Sequence, residues 1–226
     1  MDPRLERVLA LVIETHISTA EPVGSQALVD QHDLGVSPAT VRNWFAELVE
    51  AGMLAQPHTS AGRVPSEQAY RWYVATQLGE PEAGKRERSL FTRIVEETTD
   101  HADRAKAVAK ACAGMVGLAA LAGTGRNDSY YTGMTELFRQ PEFREWNRVL
   151  GMGSVLDTLD ERLASMRRTA YSEPTILLGE ACPFGNACGA VVMTLPGDAL
   201  LALLGPLRMP YRQARNILSA AKEALN

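Results

Sequence analysis

Within SPATVRNWFAELVEAGMLAQPHTSAGRVPS, residues 37–66, two strong hydrogen-bonding side chains, Arg42 and Asn43, stand side by side. They can donate to base edges or to phosphates. Further on, His58, Thr59, Ser60 and Arg63 supply a cation and several polar groups suited to a nucleic-acid backbone or a minor groove. This is the chemistry of reading a polyanion.

Positioning Arg42 and Asn43 requires a helix with a defined start. Ser37 can cap exposed N–H groups, and Pro38 at the first helical position gives up only an N–H that has no partner there. Helical spacing then places Val41, Trp44, Phe45, Leu48 and Gly52 on one side and Ala39, Arg42, Asn43, Ala46 and Glu50 on the other. The small Ala39 and Ala46 let such a helix sit deep in a major groove, and Thr40 adds a hydroxyl at the first turn. Glu47 and Glu50 would repel phosphates, so contact is expected from the N-terminal half. Phe45 is expected in the core and Trp44 packed at the edge of the apolar face.

After this helix, residues 54–58 and 63–65 flank Thr59, Ser60, Ala61 and Gly62, a run whose glycine can adopt φ > 0 at a hairpin tip. Arg63 is expected beside that tip, which is the form of a wing. Upstream, Leu5, Val8, Leu9, Val12 and Ile13 make an amphipathic first helix, residues 21–24 break it, and a short second helix covers about 25–32. Helix, helix, helix, wing is the order of a winged helix-turn-helix.

The blocks EPVGSQALV, LGVSPATVRN, LAQPHTSAGRVPS and YRWYV, in that order within residues 4–75, are similar to the N-terminal domain of the HrcA family of heat-inducible transcription repressors. YYTGMTELFRQPEF (130–143) and LLGPLRMPYRQA (203–214) resemble that family's C-terminal GAF-like and dimerisation region. Trp44 and Phe45 depart from the family pattern, which more often carries an acidic or small polar residue followed by an apolar one. Family members are usually longer, so the resemblance implies a compact member with its reduction between the linker and Tyr130. It also implies repression of chaperone operons at an inverted repeat of double-stranded DNA, a homodimer, a response to heat, and a GroEL-type chaperonin as a further partner.

Charge weighs against a generic DNA binder. Through Ala75 the chain holds five arginines and no lysine against nine acidic residues, and the whole chain carries −4. No electrostatic footprint for DNA is present, so non-specific affinity should be weak and two recognition helices presented together become a requirement.

The polar segment 79–88, GEPEAGKRER, reads as a linker. It separates a winged-helix domain (1–78) from a helical and α+β part (89–226). In the latter, an alanine-rich tract to Leu121 predicts one or two helices, GTGRND (123–128) a helix-ending turn, and 141–168 a second helical stretch. Short apolar runs at 175–179, 189–195 and 199–204 predict three strands, the last two joined by Pro196, Gly197 and Asp198, before a terminal helix over 210–225. Three strands leave edges that a helix or a second subunit must cover.

Cys182 and Cys188 are close in sequence, but Cys112 is distant and His16, His32, His58 and His101 lack zinc-site spacing. No metal, cofactor or catalytic residue is expected, since no phosphate-cradling glycine fingerprint, GxSxG elbow or HExxH pair occurs. The alanine-rich run is broken by lysine and glycine and does not read as a membrane span; no secretory signal is read before the first helix, and the chain reads as cytoplasmic. The expected fold class is mainly α with an α+β C-terminal part: an N-terminal winged helix-turn-helix plus a reduced GAF-like and dimerisation domain. The expected function is sequence-specific repression. Two alternatives stand beside it, a winged-helix protein-interaction module and a small-ligand-responsive transcription regulator.

Overall fold

The computed structural model describes residues 1–58, 61–125 and 128–225 and divides into two compact units, Met1–Gly79 and Glu80–Asn226. In the first, Asp2 accepts from the Arg4 N–H and Pro3 takes the first position of α1 (Pro3–Thr19), which ends where Ala20 turns left-handed at φ 62°. α2 (Ser25–Gln31) and α3 (Pro38–Glu50) follow, then β1 (Leu54–Ala55), β2 (Val64–Pro65) and α4 (Glu67–Thr76). β1 and β2 pair antiparallel, Leu54 opposite Pro65.

Val8, Leu9, Val12 and Ile13 of α1 are buried with Leu28 of α2 and Val41, Phe45 and Leu48 of α3. Burial of such side chains stabilises by roughly 1.5–3 kcal/mol each, so the apolar stripes read from helical spacing are what hold the three helices together. α4 is fastened to α1 by hydrogen bonds, His16 Nδ1 to the Tyr70 hydroxyl at 2.7 Å and Tyr73 hydroxyl to Glu14 at 3.2 Å.

The second unit contains α5 (Lys85–Glu97), α6 (His101–Val116), β3 (Ala119–Gly123), β4 (Ser129–Thr132), α7 (Met134–Arg139), α8 (Trp146–Asp157), α9 (Leu159–Met166), β5 (Thr175–Leu178), β6 (Cys188–Leu195), β7 (Ala199–Pro206) and α10 (Tyr211–Leu225). Its sheet is antiparallel throughout in the order β4-β3-β7-β6-β5. Ala119, Leu121, Ala190, Val192, Leu200, Ala202 and Leu204 face a cluster that includes Leu137, Phe143, Met152, Val155, Leu159 and Leu163 from α7–α9 and the turn between them. α6 and α10 pack on the sheet as well, and α5 lies on α10 and α6. This is an α+β arrangement.

Three expectations are corrected. The alanine-rich tract does not stay helical: α6 stops at Gly117, left-handed at φ 69°, and 119–123 form the fully buried strand β3. Gly123 is the last residue of β3, and Thr124 N–H donates to the Asp128 carbonyl at 3.0 Å just ahead of β4, so these residues do not end a helix; residues 126 and 127 lie outside the described residues. Among the described residues the sheet therefore has five strands rather than three, with β4 and β5 at its edges. In addition, Lys85 to Arg88, expected in the linker, form the first turn of α5.

Candidate nucleic-acid interface

The start of α3 is closed by two hydroxyls. Ser37 Oγ accepts from the Thr40 N–H at 3.2 Å and lies 3.1 Å from Thr40 Oγ1, so the half-buried Thr40 hydroxyl is engaged with the cap. Val41, Phe45 and Leu48 are buried and Trp44 half-buried, while Ala39, Arg42, Asn43 and Ala46 are exposed. One continuous free face results. It has no side chain larger than a methyl at Ala39 and Ala46, with the donors Arg42 and Asn43 between them and Glu47 and Glu50 beyond.

Gly52 does not belong to the apolar face, as helical spacing had suggested. It is exposed and left-handed at φ 71°, beyond the end of α3. Its N–H donates to Val49 O at 3.0 Å and that of Met53 to Leu48 O at 2.9 Å, a Schellman closure that turns the chain into β1.

The ladder that follows is two residues long on each strand. His58 is exposed and its carbonyl accepts from the Ala61 N–H at 2.9 Å. Thr59 and Ser60 lie outside the described residues. Gly62 is needed for a different reason from the one its position suggested. It is not among the residues with positive φ; instead a Cβ there would lie 2.5 Å from the carbonyl carbon and oxygen of Val23 and 2.8 Å from Gly24 N.

Arg63 is likewise placed differently. Val23 and Arg63 form a bridge, N–H to carbonyl at 2.9 Å and 2.8 Å, which fixes Arg63 at the base of the hairpin rather than at its tip. Its side chain turns into a groove of about 460 Å³ lined also by Arg42, Gln26, Gln56, Ser25 and Phe45. The first turn of α2, the free face of α3 and the hairpin base thus meet at one place. No local pattern marks Ser25, Gln26 or Gln56 as lining, although Ser25 and Gln26 lie inside the block EPVGSQALV and Gln56 inside LAQPHTSAGRVPS.

Among the described residues, no group of three or more His, Cys, Asp or Glu could hold a metal ion, and no helix is long and apolar enough to cross a membrane. All three cysteines are buried as free thiols.

The sequence profile of the HrcA protein C terminal domain matches residues 71–214. The chain belongs to the HrcA family. Among curated HrcA proteins, the heat-inducible transcription repressor HrcA of Moorella thermoacetica is 60% identical over 74 residues, 33% of this chain and 22% of that protein. The protein of the same name from Carboxydothermus hydrogenoformans is 44% identical over 97 residues, 43% of this chain and 28% of that protein. Each of these matches thus spans less than a third of the relative's length. A crystal structure at 2.2 Å resolution described as a hypothetical protein is similar over 100% of this chain and 96% of its own, with a TM-score of 0.75 at 12% identity, which is a likeness of fold.

Proposed function

We propose that this HrcA-family chain is a repressor of heat-shock chaperone genes, binding an inverted repeat of double-stranded DNA as a homodimer. Residues 1–78 act as a winged helix in this reading, and the second unit as a reduced GAF-like and dimerisation domain. The observation that carries it is the exposed face Ala39, Arg42, Asn43 and Ala46 of a capped helix, set beside a short hairpin. Membership of a family whose curated members are named heat-inducible transcription repressors supports the same reading.

Base contacts fall to Arg42 and Asn43, and backbone contacts to His58, Thr59, Ser60 and Arg63. With five arginines against nine acids in this region, one subunit holds DNA weakly, and the affinity comes from two recognition helices engaging half-sites together. Heat would act by lowering the population of the operator-competent dimer. A GroEL-type chaperonin is the partner that would restore it.

The same acidic balance favours a second reading, a winged-helix module that docks on protein and never meets DNA. Anisotropy titration of labelled duplexes across a salt series separates the two: a repressor gives a clear preference for the repeat and a steep fall of affinity with salt. A folded protein that binds neither duplex supports the interaction module.

A further inference from the structure

We infer that Gly62 is a positioning residue: its bare Cα lets the hairpin base lie against Val23 and Gly24, which holds the Arg63 guanidinium where it and Gln26 seat one backbone phosphate of bound DNA. This rests on the DNA-binding reading. The glycine is not required by its own φ, and the clash a Cβ would make is with backbone atoms, at 2.5 Å and 2.8 Å, which have no rotamer to move away with. Any larger residue at 62 must therefore open the Val23–Arg63 bridge.

What the bridge holds is a cation poorly satisfied within the protein. Arg63 Nε is buried without a hydrogen-bond partner, and Nη1 reaches the Ala61 carbonyl only at 3.4 Å. The buried Nε is itself out of reach of a ligand, but the rest of the guanidinium lines the groove with only that one long bond, and a phosphate there supplies acceptor oxygens for its N–H groups. Arg42 lines the same groove, which places the seat formed by Arg63 and Gln26 next to the base-reading face of α3. Gln26 donates one amide N–H to Asp30 Oδ1 at 2.8 Å, which orients the amide and leaves its second N–H for the same ligand. Gln26 belongs to α2 rather than to the base-reading face of α3, so its contact carries no sequence information.

The test uses the full chain, a labelled inverted-repeat duplex, a scrambled duplex and a salt series. Arg63→Ala is expected to weaken both duplexes about tenfold and to reduce the salt slope by about 0.9 per chain. Gly62→Ala, which removes no cation, gives the same loss and the same reduced slope, and the double variant is no worse than Arg63→Ala alone. Gln26→Ala weakens both duplexes equally, with no change of slope. Inorganic phosphate at matched ionic strength leaves the thermal midpoint of the DNA-free protein unchanged.

A folded Gly62→Ala protein with the wild-type slope, an additive double variant, or a Gln26→Ala defect confined to the repeat would each overturn the inference while leaving DNA binding intact. A midpoint raised by phosphate in the wild type but not in Gly62→Ala would overturn it too, by making free phosphate the ligand. Wild-type protein that binds neither duplex removes the DNA reading and this inference together.

Discussion

Arg208 grips Glu142 with both sides of its guanidinium: Nε donates to Oε1 at 2.5 Å and Nη2 to Oε2 at 3.2 Å, while Nη2 also reaches Gln140 Oε1 at 2.7 Å. The two side chains retain only 10% and 20% of their exposure, so water screens the pair little. The pair joins the turn after β7 to the turn after α7, which are the two blocks on which the C-terminal resemblance rests. Removing the arginine leaves a largely buried carboxylate alone. Arg208→Ala should cost about 3 kcal/mol, and Arg208→Lys less, read from urea unfolding by circular dichroism. A change below about 0.5 kcal/mol, the usual range of a surface substitution, would show the pair to be incidental.

Gly133 begins α7 at φ 73°, and a Cβ there would stand 2.4 Å from the Leu118 carbonyl oxygen and 3.3 Å from Ala113 Cβ. Left-handed backbone alone costs roughly 1–2 kcal/mol for a residue with a side chain, and the backbone clash adds to it. Gly133→Ala is therefore expected to lose at least about 2 kcal/mol, measured in the same unfolding experiment. A neutral result would mean that α7 can shift off Leu118 without loss.

Burial pushes the Cys182 thiol up to about 11, and burial together with the neighbouring Cys182 charge pushes Cys188 to about 12; burial raises Cys112 further. At neutral pH all three are protonated and shielded, so iodoacetamide should label the native protein only as fast as it opens. Because the folded values lie above the ordinary 9.0, the folded state holds these protons more tightly. Their contribution to stability is complete below about pH 9 and is lost progressively as pH rises through 11 and 12. Rapid stoichiometric labelling of folded protein at pH 7 would contradict this placement.

Helix α3 was legible because its start and period are written locally: Ser37 and Pro38 open it, and Val41, Phe45 and Leu48 repeat at helical spacing; its end was not, since Gly52 fits the same spacing but lies beyond the helix. β3 was not. AALAG follows a helical alanine run, alanine favours helices, and a strand buried on both faces shows no alternation to betray it. The stop signal was Gly117, whose left-handed cap is indistinguishable in sequence from a weak helix interior. β4, only four residues long, could be recognised only once β3 was known.

The candidate interface divides in the same way. Which residues of α3 face outward follows from spacing, but the site of Arg63 depends on Val23, a contact between distant parts of the chain that no local pattern carries. Glycine at a hairpin tip usually serves φ > 0, whereas at Gly62 close approach to the Val23 and Gly24 backbone sets the requirement.

On α3, Arg42→Ala and Asn43→Ala should each lower the preference for particular base pairs, by about 1–3 kcal/mol where a bidentate contact is lost, without altering the circular dichroism spectrum. Both side chains are exposed, so stability should stay within about 0.5 kcal/mol of wild type. Base-by-base substitution of the duplex locates each contact. Loss spread evenly over all sequences would reassign both residues to the phosphate backbone.

The central claim is tested most directly by fluorescence-anisotropy titration of the full chain onto a duplex bearing the inverted repeat of chaperone operons, against a scrambled duplex at fixed moderate salt. Preference for the repeat at two chains per duplex is the predicted result. Equal or absent binding by fully folded protein would contradict it.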